Sequence, residues 1–107
     1  MPDMPRIPYV VDHLARVDEQ IQTLADKAAR RGVHQEYVRA LKSLVDRLRT
    51  EPLRWGDQEY NTRREGGVVC HTICPPLIAQ YVVYELERVV CILGIKPLPG
   101  HVLGHDG

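Results

Sequence analysis

A chain of 107 residues suits one compact domain, here residues 1–107, and leaves little room for a second. Its hydrophobic content of 44% excludes global disorder. Its 14 Lys+Arg against 14 Asp+Glu exclude the overall basic excess that marks strong nonspecific nucleic-acid binding, leaving only a local patch.

The charged opening, MPDMPRIPYVVDHLARVDEQ, lacks an apolar run of signal-peptide length, and no stretch has the length and apolarity of a membrane span. Three cysteines at irregular spacing fit free thiols in a reducing cytoplasm. The first element is a candidate short strand over 7–10. From Val11 the apolar positions Leu14, Val17, Ile21, Leu24, Ala25 and Ala28 advance in steps of three and four, the period of an amphipathic helix. Asp12 is its candidate N-cap, and Gly32, after Arg30 and Arg31, suits the left-handed position that closes a helix.

A second stripe, Tyr37, Val38, Leu41, Leu44, Val45 and Leu48, ends before Pro52. The short link around Gly32 makes the two helices an antiparallel hairpin over about 11–51. Their charges are read as a solvated face. Two helices cannot bury both stripes in each other, so a further layer is required, and Leu41, Leu44 and Leu48 are expected to pack on it.

Residues 53–65, LRWGDQEYNTRRE, have no period and read as a connection. After Gly66–Gly67 come three runs rich in Val, Ile and Tyr: VVCHTIC, LIAQYVVYE and RVVCILGIK. Short links make them an antiparallel meander over about 66–96, with a wider loop expected at Pro75–Pro76 and an irregular tail over 97–107. The fold class is therefore α+β, a helical hairpin packed on a three- to four-stranded sheet.

VVCHTIC concentrates two thiols and an imidazole. Strand alternation puts Cys70, Thr72 and Cys74 on one face and Val69, His71 and Ile73 on the other, so one metal does not readily take both Cys70 and His71. Cys70, Cys74 and Cys91 are read as small apolar strand residues, with neither metal nor cofactor expected. The face of His71 carries more polar chemistry. Gln80 and Tyr84 share a face of the next strand, and the simplest register joins them to His71 as a candidate substrate-binding surface. The competing reading is the wet side of a half-covered sheet.

The order of elements resembles the RelE/ParE superfamily of type II toxins over roughly residues 9–101. The telling stretches are ALKSLVDRLRTEPLRWG, a helix entering a proline-containing loop, and YVVYELERVVCILGIKPL, paired strands with a charged turn. The resemblance implies a growth-inhibiting protein held by a cognate antitoxin, and, for the RelE branch, a ribosome-dependent mRNA endoribonuclease. It places His101 as acid or base, Arg64 and Lys96 as phosphate clamps, and Arg63 as a substrate contact, with His71 facing the same hollow; Gln80 and Tyr84 join them as substrate contacts through the shared sheet face. The last strand has no arginine after Arg88 and the tail no tyrosine. The alternatives are a ParE-like inhibitor of DNA gyrase and a non-catalytic interaction domain of the same fold.

Overall fold

The computed structural model describes residues 7–61, 66–101 and 103. Strand β1 (Val10–His13) leads into helices α1 (Ala15–Arg30) and α2 (His34–Thr50) and a single turn, α3 (Pro52–Trp55). Strands β2 (Asp57–Asn61), β3 (Val68–Cys74), β4 (Leu77–Tyr84) and β5 (Val89–Pro97) follow. The sheet has the order β1-β5-β4-β3-β2. Its four later strands are antiparallel, and β1 joins β5 in parallel. The α+β class and the helical hairpin stand as expected; the short first strand is present but shifted along the chain, and the sheet gains β2 at its other edge.

The two edge strands correct three local readings. Val11 and Asp12 belong to β1, so the first strand lies at Val10–His13 and α1 starts four residues later than its apolar stripe. Asp12 does not cap the helix: the N-cap is Leu14, and Asp12 Oδ1 instead accepts the His13 backbone N–H at 2.8 Å. Residues 57–61 are not connection but β2. The fourth correction is the Pro75–Pro76 loop. Cys74 pairs directly with Leu77, and a cis peptide between the prolines turns the chain in two residues.

Gly32 behaves as its sequence context requires. At φ +74° it follows the cap Arg31, its N–H bonds Ala29 O, and Val33 N–H bonds Ala28 O at 2.9 Å, a complete Schellman closure. The hairpin is tied again where Tyr37 Oη donates to Ile21 O at 2.8 Å.

The core lies between the helices and one face of the sheet. Leu44, Leu48, Tyr37 and Val17 from the helices meet Cys70, Tyr81, Val83, Val90 and Ile95 from the strands. Leu44 and Leu48 are fully buried, whereas Leu41 is only half-buried at the flank of α2. Leu103 returns the tail to this core. Tyr81 crosses beneath α3 and donates to Pro52 O at 2.6 Å. Gly56 makes that crossing possible, because a Cβ there would stand 1.9 Å from the Tyr81 hydroxyl.

Candidate functional site

The face of the sheet turned away from the helices carries the polar chemistry. In register, Asp57, His71, Gln80 and Gly94 form one row across β2, β3, β4 and β5. Each end of the row has a bulge. On β2 the pairing jumps between Gln58 and Tyr60, leaving Glu59 without a partner residue; on β5 it jumps from Ile92 to Gly94, leaving Leu93 out. Bulges re-aim side chains and bend strands. Here they bracket a hollow of about 520 Å³ lined by Glu59, His71, Gln80, Lys96 and, from α1, Arg16 and Gln20.

Glu59 organises one side. Its Oε2 accepts a hydrogen bond from Gln80 Nε2 at 2.7 Å, and its Oε1 stands 3.3 Å from His71 Nδ1. That nitrogen is shut off from solvent and within ion-pair reach of the carboxylate, though not aligned as a hydrogen bond. Asp57 lies 3.7 Å from His71 Nε2 and is itself widely exposed. Lys96 stands on β5 opposite Ile78 and lines the same hollow from the other side. Gly94, at the β5 end of the row, has no side chain to fill the floor.

The far side is held by α1. Strand β1 pairs with β5 only as far as Ile92, so the rest of that edge of β5 has no strand partner. Helix α1 and its N-cap take over: Leu14 N–H donates to Ile92 O, Arg16 Nε to Leu93 O at 2.9 Å, and Ile95 N–H to Gln20 Oε1 at 2.8 Å. Three backbone groups that would otherwise face an open edge are thus satisfied, as buried or half-buried backbone requires.

The candidates from the sequence divide accordingly. His71, Gln80 and Lys96 meet in the hollow. Tyr84 is on the same face of β4 but four residues from Gln80, about 13 Å along the strand, and does not line it. His101 lies on the helical side. Its Nδ1 accepts the Leu103 N–H at 3.1 Å, which places the ring proton on Nε2, 3.2 Å from Glu36 Oε1 at the start of α2. Arg63 and Arg64 lie outside the described residues. Sequence reasoning did not select Glu59 or Arg16. Glu59 carries a possible signal, an acidic residue two positions beyond Asp57, but nothing local identifies 57–61 as strand.

The thiols have no part in this face as a group. Cys70 is buried on the core side, Cys74 Sγ approaches Ala40 O at 3.5 Å, and Cys91 lies between the core residues Val90 and Ile92 and so points outward. Burial pushes all three thiols up from their ordinary pKa, the opposite of an activated nucleophile. No cluster of three or more His, Cys, Asp or Glu with metal-holding geometry occurs among the described residues.

No family model and no curated protein matches the chain. Two solved structures do. A chain of the archaeal RelE–RelB complex from Pyrococcus horikoshii superposes with a TM-score of 0.65 at 20% identity, over 87% of this chain and 98% of that one. A chain of the toxin–antitoxin complex RelBE2 from Mycobacterium tuberculosis superposes with a TM-score of 0.55 at 20% identity, over 89% and 97%. The class defined by helical hairpin, sheet order and hollow is therefore a small α+β domain with a helical hairpin on one sheet face and the hollow on the other. The chain has the RelE-type fold.

Proposed function

We propose that this protein is the toxin of a type II toxin–antitoxin pair and that it cuts messenger RNA on the ribosome. The observation that carries the reading is the hollow: an imidazole backed by a carboxylate, and a lysine, gathered on the sheet face opposite the helical core of a RelE-type fold. Cutting RNA through its own 2′-hydroxyl requires a group to take the 2′-proton and positive charge beside the phosphorus. His71 takes the proton, and Glu59 stabilises the resulting imidazolium. The 2′-oxygen bonds to phosphorus, the bond to the 5′-oxygen breaks, and the departing oxygen takes a proton from water. Lys96 meets the charge that builds on the phosphoryl oxygens. Gln80 holds Glu59 and so fixes the imidazole indirectly.

His101, anchored to Glu36 and Leu103, is a tail-fastening residue in this scheme and not the acid or base. Arg63 and Arg64 precede β3 in the sequence and are candidates for contacts to the RNA backbone. The cognate antitoxin is the expected partner, because both structural neighbours are toxin–antitoxin complexes. A ribosomal target places the activity in the cytoplasm. None of the described helices is long and apolar enough to cross a membrane.

Induced expression tests the reading. The expected result is growth arrest with cleaved mRNA, abolished by His71→Ala and relieved by co-expression of the neighbouring antitoxin gene. Arrest with DNA damage and intact mRNA points instead to a gyrase inhibitor of ParE type. Absence of arrest points to a non-catalytic interaction domain.

A further inference from the structure

The Arg16 side chain is held in an unusual place for a helical surface arginine. It sits in the first turn of α1, yet it reaches the floor strand of the hollow, where its Nε donates to Leu93 O at 2.9 Å. Leu93 is the bulged residue of β5, so its carbonyl has left the regular ladder with β4. One guanidinium N–H is spent on that carbonyl. The two Nη groups remain, in a planar fork of fixed geometry, on a side chain that lines the same hollow as His71, Gln80 and Lys96.

Leu93 and Lys96 bracket Gly94 on β5. A guanidinium anchored at Leu93 and an ammonium at Lys96 therefore flank Gly94, which has no side chain, and Ile95, whose side chain is buried in the core. Glu59 occupies the opposite side of the hollow beside His71. The charge is thus divided: an acid–imidazole pair toward β2, and two cations toward β5 and α1. A phosphodiester placed between them would have its anionic oxygens toward Arg16 and Lys96 and its ribose edge toward His71.

We propose that Arg16 is a substrate-contact residue, which binds the phosphate of a single-stranded RNA segment together with Lys96 and is pre-aimed by its bond to Leu93 at the β5 bulge. This deepens the RNA-cleaving reading given above and rests on it. A pinned arginine fork is suited to the task, because phosphate is recognised in a bidentate manner and the entropy of ordering the long side chain has been lost before the ligand arrives. The bulge acquires a second role as well: besides bending β5, it releases the carbonyl that aims the arginine.

The test is binding of a short fluorescent single-stranded RNA to the full chain across a salt series, with 2′-O-methyl ribose at every position so that nothing is cut. Arg16→Gln is compared with wild type, with Arg16→Lys, and with Arg30→Gln at the exposed far end of α1 as a control. The expected result is a loss of about tenfold for Arg16→Gln, with the slope of log K against log salt shallower by about 0.7, the value for one phosphate contact on a single strand. Arg16→Lys keeps a charge and recovers the slope while regaining only part of the affinity, because it lacks the fork. Arg30→Gln changes neither.

If Arg16 acts only by capping Leu93, Gln and Lys variants share the wild-type salt slope, and the proposal is overturned. If wild type binds and Arg16→Gln binds equally well, the proposal fails while the RNA reading survives. If wild type itself does not bind the strand in the presence or absence of ribosomes, both fail together. Melting temperature, measured on each variant, shows whether any loss comes from unfolding.

Discussion

The two faces of the sheet use the same strands for opposite ends. The face under the helices is closed: Tyr81, Val83, Val90 and Leu77 are buried there, and Tyr81 has its one polar atom bonded to Pro52 O. The opposite face buries Val69 and Val82 but also carries His71, Gln80 and Lys96 around a hollow. The difference teaches where irregularity is tolerated. Both bulges of the sheet fall beside the hollow, and each delivers something to it, Glu59 directly and the Leu93 carbonyl as an anchor for Arg16. The closed face shows the reverse constraint, since Gly56 has no room even for a methyl group against Tyr81.

The sharpest way to separate the faces is to remove a group from each and read both activity and stability. On the open face, His71→Ala should lower ribosome-dependent RNA cleavage about a hundred- to ten-thousand-fold, the usual cost of losing a general base, with a melting temperature close to wild type. A stable variant with unchanged cleavage would remove His71 from the chemistry. On the closed face, Leu44→Ala should cost about 2–5 kcal/mol in urea unfolding, as a fully buried large-to-small change. Leu41→Ala, at a half-buried position on the same helix, should cost clearly less. Equal costs would mean that the two positions are equally packed.

A smaller effect tests the contact between α3 and the sheet. Tyr81→Phe leaves Pro52 O buried without its donor and should cost about 1–3 kcal/mol. Gly56→Ala should also destabilise, by about 1–3 kcal/mol or more, because the new Cβ meets the Tyr81 hydroxyl. In a Tyr81→Phe background the penalty of Gly56→Ala should shrink, since the nearest clashing atom is gone. Strict additivity in this double-mutant cycle would argue against the close approach.

The smallest effect is in alkaline pH. Burial raises the pKa of Tyr81 and of Cys70 above their ordinary values of 10.0 and 9.0, and each is further raised by nearby negative charge. Each group is therefore neutral in the folded state at a pH where the unfolded chain has begun to lose the proton. The stability they contribute is complete below about pH 9 and falls as pH rises through the raised values. Unfolding measured between pH 8 and 11 should show this decline, and Tyr81→Phe should flatten its upper part. A decline that is unchanged in Tyr81→Phe would assign it to other groups.

Much of this architecture was legible without coordinates, for identifiable reasons. The stripes of α1 and α2 follow a helical period because one side of each is buried, and Gly32 sits where only a left-handed residue closes the helix smoothly. Strands β3 to β5 are dense in Val and Ile because they are central and buried on at least one face. The shared face of His71 and Gln80 follows from strand alternation, but their direct pairing depends on the two-residue turn at Pro75–Pro76, where the sequence suggests a wider loop. Strand β2 was hidden because its bulge at Glu59 interrupts the alternation that would reveal a strand. Strand β1 was misplaced because Val11 and Leu14 also fit the stripe of the following helix, and a four-residue edge strand has too little pattern to compete. Tyr84 and His101 were grouped with the site by resemblance and by shared face, neither of which measures distance along a strand or the path of a tail.

By itself, then, the sequence determined the class of fold, the hairpin, the central meander and the face on which His71 and Gln80 lie, since all of these follow from local periodicity and short links. Only the tertiary structure decided the parallel docking of β1 on β5, the place of Glu59 beside His71, the reach of Arg16 to Leu93 and the return of His101 to α2. Arg16 and Leu93 are 77 positions apart, and His101 and Glu36 are 65 apart. Contacts of that separation depend on how whole elements pack and on where a strand slips by one residue, and neither leaves a periodic trace in the residues that make them.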